Sequence, residues 1–279
     1  MLPALFIYSF TVLIPLIGTI GSSFTKWNGY GSPELVGFKN YIRALQDSIF
    51  LNSFKHVFIY VIATILLEVV IGLVLAGILT SRKGIEAYRI ALFVPVLLPM
   101  VIVAVLWRFI FNADFGLING ALEQIGFPQF QQIWLGDSRF ALASICIVSG
   151  WVYAGFYLAI FYAGLQRLPR EVIESAALDG AKQNTIFWKI KVPMIRRLWE
   201  VAVLICITGG IQGFDLFYVM TNGGPYYATE VPTTHMVRTV FRDQEIGYGS
   251  ALAVLLTLTV LTIGLIYSKV RKKSEQVEY

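Results

Sequence analysis

Hydrophobic positions along the chain form six long runs separated by polar segments. A helix that crosses the roughly 30 Å apolar core of a bilayer needs about 20 apolar residues. Every run has about this length, and none is long enough for two crossings. The pattern predicts an all-α polytopic membrane protein with six transmembrane helices. The runs are Leu2–Phe24, Val57–Leu79, Ile90–Phe111, Phe140–Leu165, Leu198–Met220 and Ser250–Tyr267.

The first run has an alternative interpretation as a cleaved signal peptide, because Gly18–Ser23 offers small residues near its end. A signal peptide carries basic residues before an apolar stretch shorter than this one. No basic residue precedes this run, so we expect it to be a transmembrane helix.

The composition also favours a membrane protein. Hydrophobic residues make up 57% of the chain and charged residues 14%, and the mean hydropathy is +0.69. A soluble domain is nearer half apolar and a quarter charged, so this chain has too little polar material to cover a globular surface. Cys146, Cys206 and two histidines are too few for a disulfide framework or a metal cluster. We expect no catalytic residue, no metal and no cofactor bound by this chain.

The distribution of lysine and arginine predicts the orientation, because these residues accumulate in cytoplasmic loops. One alternating set of connecting segments holds 14 of the 22 basic residues. We therefore expect both termini in the cytoplasm. The net charge of +5 is explained by this bias, and we expect no nucleic-acid partner. The 14 residues are Arg82, Lys83, Arg89, Arg167, Arg170, Lys182, Lys189, Lys191, Arg196, Arg197, Lys269, Arg271, Lys272 and Lys273.

Three connecting segments on the opposite side are predicted to be loops. Turn-forming residues occupy Asn28–Pro33, and Phe38–Leu45 has the pattern of a short amphipathic helix at the membrane interface. Asp114–Ser138 and Thr221–Gly249 carry Gly, Pro and Asn at turn positions.

The segment Gln166–Arg197 has the pattern of two helices joined by a bend. Pro169 suits the first turn of a helix, and the acidic Glu171 and Glu174 favour its positive N-terminal end. Asp179-Gly180 is predicted to end this helix, because glycine readily adopts the left-handed conformation of a helix end. A second helix is predicted around Asn184–Val192 and interrupted by Pro193, with Phe187, Ile190 and Met194 on one face.

Two interpretations of this segment are open. Its lysines favour a helix that lies on lipid headgroups. The first helix fits that interpretation poorly, because its Ile173, Ala176 and Ala177 face offers small residues where lipid would favour Leu or Trp. Alanines on an exposed face let another backbone approach closely, so we favour a protein-docking segment.

The same segment resembles the EAA loop of type I ATP-binding-cassette importer permeases. Glu174-Ser175-Ala176 is followed by Asp179-Gly180-Ala181, with Ile190 and Pro193 downstream. Only Ser175 departs from the motif, replacing an alanine. Trp107-Arg108 with Phe111–Asn119, and Thr221-Asn222-Gly223-Gly224-Pro225, are similar to carbohydrate permeases of the larger-subunit type in maltose and glycerol-phosphate importers.

The resemblance implies a permease subunit of an ATP-driven importer for a sugar, oligosaccharide or related solute, in a bacterial or archaeal cytoplasmic membrane. It implies two copies of a cytoplasmic ATPase that bind ATP and Mg, a second homologous permease in a heterodimer, and an extracytoplasmic solute-binding protein. The chain has no G-x-x-x-x-G-K-[ST] motif, and we expect ATP hydrolysis in the partner. The residues expected to couple to that ATPase are Glu174, Ser175, Ala176, Ala177, Asp179, Gly180, Ala181, Phe187 and Pro193.

The fourth and fifth runs flank this loop and supply candidates for the substrate pathway. Sugar sites combine aromatic faces with a few polar groups, whereas aromatic residues at helical spacing are most often packing or interfacial residues. The candidates are Trp151, Tyr153, Phe156, Tyr157, Gln212, Phe214, Asp215 and Tyr218.

Glu68 lies near the middle of the second run, where an ionised carboxylate costs at least a few kcal/mol. A structural, protonated or hydrogen-bonded glutamate is one interpretation. A proton-coupled secondary transporter that uses Glu68 is the competing function, but such a carrier has no need of the 166–197 loop. A non-catalytic membrane scaffold is the third, and it does not explain an aromatic cavity.

The predicted organisation has three parts. Residues 1–54 contain the first transmembrane helix and the outer loop with its interfacial helix. Residues 55–268 form the core permease domain, with five transmembrane helices and the coupling loop 166–197. Residues 269–279 form a cytoplasmic tail.

Overall fold

The computed structural model describes residues 2–80 and 86–275. The connection that carries Arg82 and Lys83, and residues 276–279 of the predicted tail, lie outside the described residues.

The described residues are mostly helical, as predicted, with almost no sheet. Two-residue strands β1 (Thr25–Lys26) and β2 (Glu34–Leu35) pair antiparallel. The α-helices are α1 Leu2–Tyr8, α2 Ile14–Ser23, α3 Lys39–Gln46, α4 Ser48–Thr64, α5 Ile71–Thr80, α6 Glu86–Phe93, α7 Met100–Ile110, α8 Leu117–Gln124, α9 Ala141–Leu165, α10 Arg170–Leu178, α11 Gln183–Ile186, α12 Val192–Met194, α13 Arg196–Ile211, α14 Asp215–Thr221, α15 Pro232–Phe241 and α16 Ile246–Glu275. Short π-helical segments cover Ser9–Leu13, Ile65–Val70 and Phe187–Lys191, and 3₁₀ segments cover Val94–Leu97 and Pro128–Phe130.

Four continuous helices are long and apolar enough to cross a membrane, and two bent pairs bring the number to six if each pair is one span. The continuous spans are Pro3–Ser23, Ser48–Thr80, Ala141–Leu165 and Ile246–Lys269. The bent pairs are Glu86–Leu97 with Met100–Ile110, and Arg196–Ile211 with Asp215–Thr221. The prediction of six spans agrees with the larger number.

The third and fifth runs are not single straight helices. The third is bent by 100° at Leu98, whose backbone is extended (φ −79°, ψ 139°) because Pro99 disfavours a helical residue before it. The fifth is bent by 43° between Ile211 and Asp215.

Two segments that we predicted to be loops contain helices. In Asp114–Ser138, α8 carries Asn119, whose side-chain amide donates to the carbonyl oxygens of Ala113 and Gln132. The asparagine therefore cross-links the segment rather than forming a turn. In Thr221–Gly249, α15 begins at Pro232, where the ring suits the first helical turn. The predicted amphipathic helix at Phe38–Leu45 is confirmed as α3.

The described chain divides into two compact units. The first contains the chain up to Val57, Ile211–Tyr218 and the chain from Asn222 onward. A small core of Ala44, Phe50, Tyr248 and Leu252 lies in it.

The second unit contains Phe58–Gly210 and Val219–Thr221. Its core joins α5, α9 and α13 through residues such as Leu73, Phe161 and Cys206. At Gly72 the backbones come close, since an added Cβ would lie 2.9 Å from the Leu158 nitrogen and 3.0 Å from the Ala154 oxygen. Small residues of this kind permit tight packing of helices in membranes.

Candidate functional site

The first predicted helix of the 166–197 loop is confirmed as α10. The chain enters it from Pro169, which has an extended ψ of 127°. Glu171 lies in its first turn, where a negative charge is favoured by the helix dipole. Glu174 lies in the second turn, so our prediction that both acids occupy the N-terminal end holds only for Glu171.

Gly180 ends this helix in the left-handed conformation, as predicted. Its φ is +82°, and the N–H groups of Ala181 and Gly180 donate to the carbonyl oxygens of Ala176 and Ala177 at 3.0 and 3.1 Å. These two bonds define a Schellman motif, which satisfies carbonyl groups that the helix end leaves open. No described atom lies within 4 Å of a Cβ built on Gly180, so a side chain there meets conformational strain but no clash.

The surface of α10 is unusually open for an amphipathic helix. None of its nine residues, all of which the structure describes, is buried. Leu178 is 88% exposed and Val172 42% exposed, while Glu174 and Ala177 are also exposed. A surface helix with protruding apolar side chains is typical of a protein-docking element. The sequence pattern did not single out Leu178, although its place just before Asp179-Gly180 at a helix end was visible.

The second half of the loop is anchored, in contrast to α10. Ile186 is 1% exposed, and Phe187 packs against the core of the second unit. The predicted helix Asn184–Val192 exists as α11, a π-helical segment and α12, but our prediction that Pro193 interrupts it is wrong. Pro193 lies inside a continuous helical run, because the π-helical segment Phe187–Lys191 leads into α12 without a break. The helical geometry ends only at Ile195 (φ −99°, ψ 19°).

Glu68 is part of a buried hydrogen-bond network. The residue is 5% exposed, and its carboxyl group accepts from Ser149 Oγ at 2.7 Å. The Ser149 and Tyr60 hydroxyls lie 2.7 Å apart, and Cys206 Sγ lies 3.7 Å from the second carboxyl oxygen. The network joins three transmembrane segments, which agrees with our interpretation of Glu68 as a hydrogen-bonded structural residue.

The pathway candidates of the fourth run lie in the second unit. Trp151 is 42% exposed and its ring lies 5.5 Å from that of Trp107. Tyr153 and Phe156 are half-buried. Tyr157 is only 3% exposed and belongs to the core of this unit.

The candidates of the fifth run lie in the first unit. Gln212, Asp215 and Tyr218 are exposed, and Phe214 is half-buried. The rings of Phe214 and Tyr218 stack at 4.9 Å. Aromatic faces beside exposed polar groups are the combination that sugar sites use.

Glu230 organises the Gly-Gly-Pro segment, and the sequence pattern did not reveal it. The residue is fully buried, and its carboxylate pairs with Arg238 at 2.7 Å and accepts from Thr234 at 3.1 Å. Burial raises the pKa of Glu230, although Arg238 and Thr234 oppose this. A Cβ on Gly223 (φ +79°) would lie 2.9 Å from the Arg238 guanidinium, so only glycine fits beside the pair. Beyond it, Tyr226 is 96% exposed at a φ of +51°.

Asp47 is the centre of a second polar cluster. Its carboxylate accepts from Tyr248 at 2.7 Å and lies 3.1 Å from His235 Nε2. Burial opposes ionisation, but the bonds from Tyr248, from the Phe50 N–H and from His235 hold the pKa of Asp47 below its usual range. In the described part of the chain, no three His, Cys, Asp or Glu side chains are placed to hold a metal ion.

The membrane spans and the loop with its exposed, glycine-ended helix together define the class of the protein, a transport permease. Residues 68–275 match the family described as "Binding-protein-dependent transport system inner membrane component". The chain belongs to this family, and it is a permease subunit of an ATP-binding-cassette importer.

Relatives of known name match over nearly the whole chain. "Probable ABC transporter permease protein YurN" of Bacillus subtilis (strain 168) is 33% identical over 99% of this chain and 96% of its own length. "Diacetylchitobiose uptake system permease protein NgcF" of Streptomyces coelicolor is 32% identical over 91% and 76%. "Trehalose/maltose transport system permease protein MalF" of Thermococcus litoralis is 30% identical over 96% and 91%.

A solved structure of a bacterial ABC transporter involved in the import of the acidic polysaccharide alginate has the same fold. The TM-score is 0.85 at 20% identity, and the alignment covers 98% of this chain and 93% of the other. A second structure of a bacterial alginate ABC transporter, in complex with an alginate pentasaccharide-bound periplasmic protein, gives a TM-score of 0.84 at 20% identity, over 95% and 90%. The family match does not favour the proton-coupled alternative.

Proposed function

We propose that this permease imports a sugar, an oligosaccharide or a related solute and forms half of the translocation pathway. The observation that carries the solute class is the pair of relatives at 30% identity or more whose names refer to diacetylchitobiose and to trehalose or maltose. Trp151, Tyr153, Phe156, Tyr157, Gln212, Phe214, Asp215 and Tyr218 remain our candidates for that pathway. Because Tyr157 is buried, we expect it to support the pathway from behind rather than to contact the solute. The exposed Trp151 and Tyr218 are better placed to meet a sugar ring.

The 166–197 loop faces the cytoplasm in this proposal, as do both termini, and the membrane is that of a bacterium or archaeon. The bias of basic residues supports this orientation. Glu230, Tyr226 and the Gly-Gly-Pro segment then belong to the outer side.

The partners are a second homologous permease, two cytoplasmic ATPases and an extracytoplasmic binding protein. The open face of α10 supports the ATPase as the occupant of the loop, because the exposed Val172 and Leu178 side chains can be buried in a groove of a partner protein. ATP and Mg are bound and used in those partners.

Coupling follows from the two halves of the loop. ATPase closure moves α10, whose end is fixed by the Schellman motif at Gly180. The anchored half transfers that displacement to the core, because Ile186 and Phe187 cannot leave it without exposing apolar surface. Glu174, Ser175, Ala176, Ala177, Asp179, Ala181 and Pro193 line or frame the docking surface.

The test is to purify the chain with its second permease and ATPase, reconstitute the complex, and add the binding protein with and without sugar. We expect sugar-loaded binding protein to raise ATP hydrolysis and to drive uptake that an uncoupler does not abolish when ATP is held constant. Uptake that stops with the proton gradient, or a complex that contains no ATPase, contradicts the proposed function.

A further inference from the structure

We infer that Phe187 of the loop and Gly77 of the second span form a mechanical joint, through which the loop moves that span directly. Coupling to an ATPase is itself proposed, so the joint has this role only if the proposed function holds. The loop is covalently continuous with the fourth and fifth spans. The joint adds a contact with a span to which the loop is not directly connected.

The ring of Phe187 fills a notch that the missing side chain of Gly77 leaves in α5. A Cβ built on Gly77 would lie 2.6 Å from Phe187 Cζ and 3.0 Å from Cδ2, and the three nearest atoms all belong to this ring. Real Cβ atoms do not approach other atoms this closely. The ring is therefore in direct contact with the helix backbone, and any larger residue at 77 must displace it.

The loop side of the joint is fixed. Phe187 follows Ile186, which is 1% exposed, and its ring lies 4.9 Å from the ring of Trp188. It also begins the π-helical segment Phe187–Lys191, and such segments are frequent at functional positions. A displacement of the loop therefore carries the ring with it.

The span side of the joint is also fixed. Gly72, five residues before Gly77, brings α5 against the backbone of α9 at Leu158. Nine residues before Gly77, Glu68 accepts from Ser149 of α9 at 2.7 Å. Packed cores transmit such shifts rather than absorb them. A push on Gly77 consequently reaches α9, which carries the exposed Trp151.

The positioning role is testable because a smaller side chain at 187 should compensate for a larger one at 77. The added methyl group of Gly77→Ala should displace the Phe187 ring, and the loop with it. We expect substrate-stimulated ATP hydrolysis to fall about fivefold or more, which is the lower end of the usual range for allosteric coupling. Adding Phe187→Leu to Gly77→Ala removes ring atoms from the overlap and should restore most of the stimulation. The matched control is Gly264→Ala, a glycine in a membrane helix with no described atom within 4 Å of an added Cβ.

The measurements are complex recovery, basal ATP hydrolysis and its stimulation by sugar-loaded binding protein, for the full reconstituted transporter. If Gly77→Ala does not assemble, Phe187→Ala tests the joint instead. This variant removes the ring from the notch without crowding, and it should also lower the stimulation of ATP hydrolysis. Normal stimulation in an assembled Gly77→Ala complex, or in Phe187→Ala, overturns the joint, as does a double variant no better than Gly77→Ala. A wild-type complex without any stimulation contradicts the proposed function instead.

Discussion

The Arg238 guanidinium lies 2.7 Å from the carboxylate of Glu230, a residue with no exposed surface. Arg238 also donates to the carbonyl oxygen of Asn222 at 2.9 Å. One cation therefore neutralises a buried charge and holds the left-handed turn at Asn222 and Gly223. The exposed Tyr226 is presented beyond this turn.

Removing the Arg238 cation alone should lower stability far more than removing both charges of the Arg238–Glu230 pair. Arg238→Met leaves Glu230 buried and unpaired, which costs about 3 kcal/mol; we expect the lower end of the known range because the Arg238 side chain is 16% exposed. Burial then raises the pKa of Glu230 with less opposition, because the charge of Arg238 is gone and the bond from Thr234 is left. The loss of stability should therefore be largest at high pH and shrink as pH falls and the carboxyl takes up a proton. Thermal unfolding in detergent across pH measures this.

The double variant Arg238→Met with Glu230→Gln is the control, since the glutamine carries no charge. It should be clearly more stable than Arg238→Met alone at neutral pH. Equal melting temperatures for the two, at every pH, would mean that the ion pair is not the source of the stability.

Asp47 should make stability depend on pH in the opposite direction. Its pKa is lowered in the folded chain, so its ionised form contributes stability above about pH 4 that is lost as pH falls through the folded-state pKa. Asp47→Asn should cost about 1–2 kcal/mol at pH 7, and the difference from wild type should vanish in acid. Asp243→Asn, at an exposed position of the same unit, should change little. A deficit for Asp47→Asn that is constant with pH contradicts this assignment.

The proposed orientation predicts which cysteines an impermeant reagent labels. A cysteine at Asn184, which is exposed in the loop, should react only from the cytoplasm. One at Tyr226, which is 96% exposed, should react only from outside. Thr229, although nearby, is buried and unsuitable. Reaction of both cysteines from one side of intact cells would overturn the six-span arrangement.

Leu178 should be an apolar anchor for the ATPase. At 88% exposure, Leu178→Ser removes almost no packing from this chain, and its effect on melting should stay within about 0.5 kcal/mol. The amount of ATPase that co-purifies should nevertheless fall, because the leucine is buried only on docking. Leu35→Ser, at a 78% exposed position on the opposite predicted side, is the matched control. Undiminished ATPase recovery with Leu178→Ser would exclude this contact.

Local rules explain what the sequence predicted well. Six apolar runs predicted six crossings, which agrees with the larger number of spans. Pro169 and Gly180 predicted a helix between them, and α10 with the positive φ of Gly180 confirms that helix. The same rules wrongly predicted loops at Asn119 and Pro232. Asn119 cross-links a helix to neighbouring backbone, and Pro232 occupies a first helical turn.

The remaining features depend on contacts that join distant parts of the chain. Nothing in the second run alone shows that Gly77 faces Phe187, or that Glu68 meets Ser149. Arg238 and Glu230 are eight residues apart on either side of a helix start, and their pairing depends on the burial of that whole segment. Periodicity predicts which face of a helix is apolar, but not which other segment of the chain packs against that face.

The most direct test of coupling through the 166–197 loop is the sugar-stimulated ATPase rate of the reconstituted complex with Gly180→Val. A β-branched residue in the left-handed conformation costs about 1–2 kcal/mol, and the open space around Gly180 means that this strain acts on α10 alone. Gly180→Asn is the matched control, because asparagine tolerates this conformation. We predict normal assembly for both, with stimulated ATP hydrolysis and uptake falling together in Gly180→Val and close to wild type in Gly180→Asn. A Gly180→Val complex that assembles and transports at the wild-type rate would contradict the role of the loop as the coupling element.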